Sequence, residues 1–77
     1  MGEKFFTIYS YNERSLFIGS MSGNLIIMDL LSQETKKFEK IHGNYISCIN
    51  SFVHKREGKC IITLGNDNLI KIFNILE

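Results

Sequence analysis

Leu16–Phe17–Ile18–Gly19–Ser20–Met21–Ser22–Gly23–Asn24–Leu25–Ile26–Ile27–Met28–Asp29–Leu30 is an apolar run, a small polar turn and a second apolar run. The same order returns in Ile61–Ile62–Thr63–Leu64–Gly65–Asn66–Asp67–Asn68–Leu69–Ile70–Lys71–Ile72–Phe73–Asn74–Ile75. Leu16 stands 45 residues before Ile61, and Asn24 stands 45 before Leu69. Apolar runs of about 5–7 residues, rich in Ile and Phe and bounded by Gly, Asn and Asp, have strand length and strand composition. Two such runs across a tight turn make a hairpin. A hairpin recurring at about 40–45 residues is the period of a β-propeller blade, four strands to a unit.

Working outward, the remaining turn signals lie at 11–14, 42–44 and 56–59. Proline is absent, so Gly, Asn, Asp and Ser must mark every turn. Seven strands are predicted, at 5–10, 15–20, 24–30, 35–40, 45–52, 60–65 and 69–75. The segment 32–40 reads as a polar outer strand anchored by Phe38 and Ile41, in preference to a short helix capped by Ser32. Upstream of the hairpins, Phe5–Phe6–Thr7–Ile8 is placed against Ile49–Asn50–Ser51–Phe52. The expected fold class is all-β.

Length and charge bound the rest. The chain has 77 residues, enough for one small domain at most. A chain of this size hides only about 60% of its unfolded surface, so a solitary core is marginal. The net charge of +1 gives no electrostatic footprint for nucleic acid or a membrane surface. No apolar run approaches the roughly 20 residues that span a bilayer, and no secretory leader is visible. Cys48 and Cys60 therefore read as reduced thiols of an intracellular protein, cytoplasmic or nuclear. They are expected to be buried core residues. Their spacing makes no metal motif, and no cofactor is expected.

The residues around 42–74 resemble WD40 repeats. His42 is followed by Ile46, Cys48 and Ile49, then Thr63, the turn residue Asp67, and Phe73–Asn74 where Trp-Asp stands in the family. In the earlier unit, Leu25–Ile26–Ile27–Met28–Asp29 is similar to the third strand of a G-protein beta-subunit blade, with Met28 in place of Trp. Ile41 replaces the family's Gly before His42. Ser22 replaces the turn Asp, and the first unit's own His would precede residue 1. The likeness runs from about Phe5 to Leu76. It implies a partial propeller: a complete blade at 1–44, and three strands of the next at 45–77, its outer strand missing.

The resemblance also implies roles. Asp67, His42 and Thr63 would form a structural hydrogen-bond network. Tyr45, Ser47 and Asn66, with Met21 in the first unit, would line a rim that binds protein partners. A tight-turn carboxylate can satisfy N–H groups that no ladder reaches, and a Tyr with a polar tip suits an interface. Catalytic motifs are absent: there is no nucleophile elbow, HExxH, Walker loop or GxGxxG. His54, Lys55, Arg56 and Lys59 read as a solvated basic turn.

The reading is thus a non-catalytic interaction scaffold, part of a longer propeller. Its partners are other blades or subunits and a protein on the rim. The alternative is a small freestanding sandwich or barrel with a ligand cleft. Blades present two apolar faces, so the scaffold reading expects the isolated chain to oligomerise or aggregate.

Overall fold

The computed structural model describes residues 3–74. Seven strands follow in chain order: β1 (Phe5–Ser10), β2 (Ser15–Ser20), β3 (Leu25–Asp29), β4 (Thr35–Phe38), β5 (Ile46–His54), β6 (Gly58–Gly65) and β7 (Ile70–Asn74). They form two antiparallel sheets of consecutive neighbours, β1-β2-β3-β4 and β5-β6-β7. No helix occurs among the described residues, so none is long and apolar enough to cross a membrane. The segment at 32–40 holds the short strand β4, all of it exposed. Ile75, placed in the last strand by the sequence, lies outside the described residues.

The 45-residue repeat is visible in the turns. Ser20 N donates to Asn24 O and Gly23 N to Ser20 O, at 3.0 and 3.2 Å. The same two bonds recur from Gly65 N to Leu69 O and from Asn68 N to Gly65 O, at 3.1 Å each. Each three-residue turn closes on a left-handed residue, Gly23 at φ 86° and Asn68 at φ 67°. Gly and Asn are the residues that take this conformation most readily.

The upstream alignment differs from the sequence reading. β1 and β5 both carry an irregularity against their partner, Phe5/Thr7 in one and Ile46/Cys48 in the other. Phe5 pairs with Ser20 as Ile46 pairs with Gly65, which makes Phe5 the counterpart of Ile46 and not of Ile49. The offset changes because the β5–β6 hairpin is longer. Its strands run on to the pair His54–Gly58, whereas β1–β2 stops at Ser10–Leu16.

Strand alternation gives each sheet two faces. The back of the first sheet, with Tyr9, Phe17, Leu25 and Ile27, packs on the front of the second, with Ile49 and Ile61. Ile46 sits between them against Gly19, where a Cβ on Gly19 would lie 2.8 Å from that of Ile46. Tyr9 Oη and Ser51 Oγ hydrogen bond across the junction at 2.6 Å. The other two faces are open. The back of the second sheet carries Ile62, Leu64, Ile70 and Ile72, three of which are exposed. Ile8 is exposed on the front of the first, beside half-buried Leu16, Ile26 and Met28.

Candidate functional site

The loop between β4 and β5 delivers His42 into the turn that joins β6 to β7. Its ring is fully buried. His42 Nδ1 lies 3.1 Å from Asp67 Oδ1, and Nε2 lies 2.8 Å from Thr63 Oγ1 on β6. Asp67 also accepts from Gly43 N at 2.8 Å and from Leu69 N at 3.1 Å. One carboxylate thus closes its own turn and anchors the incoming loop. Its acidity is raised chiefly by the Gly43 N–H, with His42 and the Leu69 N–H adding to it. Thr63 is fully buried, so the ring bond satisfies a hydroxyl that water cannot reach.

A second polar cluster occupies the first sheet and has no counterpart in the sequence reading. Ser20 Oγ accepts from Ser22 N and Asn24 N at 3.2 and 3.0 Å, holding the turn as Asp67 holds the other. Asn24 Nδ2 donates to Glu3 at 2.5 Å, and its Oδ1 accepts from Lys40 N at 2.7 Å. Lys37 Nζ pairs with Glu3 at 2.9 Å. The Ser20 hydroxyl first, then Lys37 and Asn24, hold the Glu3 carboxyl down at about 2. Glu3, Asn24 and Lys37 follow no motif spacing, and only the sheet register brings them together.

These depressed carboxyls set an acid limit. Both stabilise the folded chain fully above their ordinary values of 4.5 for Glu3 and 3.8 for Asp67, and that stabilisation disappears as pH falls through the folded values. The urea midpoint is therefore expected to fall between pH 4.5 and about 2. Glu3→Gln should flatten that profile, most clearly between pH 4.5 and 3.8, where Asp67 does not yet contribute. A midpoint independent of pH over this range would contradict the assignment.

The residues expected to line a rim fall at one end of both sheets. Asn66 N donates to Tyr45 O, and the repeat-equivalent Met21 N donates to Lys4 O, each at 2.8 Å. Ser47 Oγ donates to Leu64 O at 2.9 Å. Gly23 O accepts from His42 N at 3.2 Å, so the turn carrying Met21 abuts the loop carrying Tyr45. Met21 and Asn66 are exposed, while Tyr45 and Ser47 are half-buried. Tyr45 packs on Phe6 of β1 with ring centroids 4.4 Å apart, a partner the sequence did not disclose.

Other expectations fare differently. Cys60 is buried, but Cys48 is exposed on the open back of the second sheet, because the irregularity beside it turns β5 there. The His54 turn is self-contained: His54 Nδ1 accepts from Arg56 N and Glu57 N, both at 3.1 Å. Lys59 Nζ lies 5.8 Å over the Tyr11 ring. Between the diverging outer strands runs a cleft of about 1100 Å3, floored by Phe17, Leu25, Ile27, Ile61 and Phe73. Among the described residues, no group of three or more His, Cys, Asp or Glu side chains is placed to hold a metal ion.

No protein-family model, no curated protein and no solved structure matches the chain.

Proposed function

We propose that the chain is a non-catalytic protein–protein interaction scaffold, its two sheets being successive blades of a WD40-type propeller. Tyr45, Ser47, Asn66 and Met21 form the partner-binding rim. The observation that carries this reading is the repeated backbone bond, Asn66 to Tyr45 and Met21 to Lys4, which presents equivalent turns at one end of both sheets. His42 and Asp67 brace that end, so its loops are ordered before a partner arrives and less ordering entropy opposes binding. Exposed Met21 and Phe6, with half-buried Tyr45 against Phe6, supply an apolar centre with polar neighbours, the make-up of a binding hot spot. Further blades or subunits cover the open faces. The small net charge favours neither nucleic acid nor membrane, and the two free thiols accord with an intracellular setting.

A second reading, a freestanding all-β domain that binds a ligand, draws on the apolar floor of the inter-sheet cleft.

A photo-crosslinking residue at Tyr45, compared with one at Lys55 on the far hairpin tip, separates rim binding from adventitious contact. The rim reading expects one discrete protein adduct in cells from position 45, none from 55, and at least a tenfold loss with Met21→Asp. Equal adducts from both positions, or none from either, would reject it.

A further inference from the structure

The two open faces are the repeat equivalents of the two faces that are already mated inside the molecule. Ile62, Ile70 and Ile72 occupy on the second sheet the places of Phe17, Leu25 and Ile27 on the first. Leu25 is 4% exposed under the second sheet, whereas Ile70 is 65% exposed with nothing above it. On the other side, Ile8 and Leu16 hold the places of Ile49 and Ile61. Ile49 is 5% exposed at the junction, and Ile8 is 64% exposed. Ile8, Ile70 and Ile72 are bare where their equivalents Ile49, Leu25 and Ile27 are buried or half-buried, while Leu16 and Ile62 are half-buried.

We infer that a second copy of this chain docks head to tail, the front of its first sheet on the back of the second sheet of its neighbour. This rests on the reading of the two sheets as successive blades. Polar pairing is kept as well. The internal junction is bridged by Tyr9 and Ser51, whose equivalents are Asn50 and Ser10, a donor–acceptor pair that would meet between copies. One pairing changes. Leu64 stands in place of Gly19, and Phe5 in place of Ile46, so the copies sit further apart at that edge than the two sheets do within one chain.

The contact is heterologous: each interface uses one front and one back. Such contacts close into a ring if the rotation allows, and grow as a filament if it does not. With two sheets per copy, about two to four copies would supply the 4–8 blades of a ring.

That asymmetry gives the test. Ile8→Lys disables the front and Ile72→Lys the back, both at exposed positions. Each variant alone should sediment at the single-chain mass of 8.9 kDa, whereas the unmodified chain should be several-fold heavier. Mixed one to one, the intact back of the first and the intact front of the second should pair, giving a species of twice the chain mass and nothing larger. An unmodified chain that stays at 8.9 kDa, a single variant that still assembles, or a mixture that stays monomeric would overturn the inference. If far-UV circular dichroism shows that a lysine variant has lost its sheet, Ile8→Ser or Ile70→Ser replaces it in the same mixture. The crosslink from Tyr45 is read separately in these variants. Its survival in Ile72→Lys would leave the rim standing where self-docking fails, and its loss everywhere would remove the rim alone.

Discussion

Gly23→Ala is expected to destabilise the chain by more than about 3 kcal/mol, and to leave little cooperative unfolding. Two effects add. Gly23 sits at φ 86°, a left-handed conformation that costs an alanine about 1–2 kcal/mol. The new Cβ would also lie 2.0 Å from the carbonyl oxygen of His42 and 2.7 Å from that of Asn44. Both obstacles are backbone, so relief requires the 42–44 loop to move. That movement breaks the bond from His42 N to Gly23 O and draws the ring away from Thr63. Gly58 provides the control. Its φ is 81°, but a Cβ there meets nothing within 4 Å. Gly58→Ala should therefore show only the conformational part, about 1–2 kcal/mol. Urea midpoints at one fixed protein concentration compare the two. Equal losses for both would show that the turn and loop are not in contact.

Gly65→Ala is the second large effect, and here no unusual dihedral is involved. A Cβ on Gly65 would stand 2.3 Å from Nδ1 and 2.5 Å from Cγ of His42, and 2.7 Å from Oδ1 of Asp67. The ring is fully buried and bonded at both nitrogens, so no free rotamer relieves the clash. Overpacking of this kind costs about 1–3 kcal/mol. Displacing the ring then strands the buried Thr63 hydroxyl, for about another 1–3 kcal/mol. Ser20 holds the matching place on the first sheet, so a side chain is admitted there and refused at Gly65. His42→Ala removes the obstacle. The Gly65→Ala penalty should shrink by more than half in that background, a coupling that a double-mutant cycle reads directly. An unchanged penalty would place the clash elsewhere.

The strands were legible because the turn residues punctuate them and the apolar runs between are too short for helices. β1 and β2 fall where the apolar runs and turn signals place them, and β4 is the polar outer strand of 32–40. The offset of the inner strands was not legible. Phe52 and Cys60 read as strand ends, but the ladder continues to His54 and Gly58, since Gly58 supplies the left-handed turn residue four positions later. The irregularities at Phe5/Thr7 and Ile46/Cys48 have no composition signal at all. At the site, His42, Thr63 and Asp67 could be named together only through a family resemblance, because 21 residues separate His42 from Thr63. Glu3, Asn24 and Lys37 lacked even that. Their meeting depends on the pairing of β3 with β4 and on where the chain enters β1.

The central claim is that each open sheet face is half of an interface. Leaving a few hundred Å2 of apolar surface bare forfeits several kcal/mol at about 25 cal/mol per Å2, a large share of the 5–15 kcal/mol that holds a small domain. Sedimentation equilibrium of the unmodified chain across a range of concentrations, read beside its thermal transition, is the most direct test. The account predicts a mass above 8.9 kDa that rises with concentration, and a transition temperature that rises with it. A single 8.9 kDa species with a cooperative melt independent of concentration would contradict it.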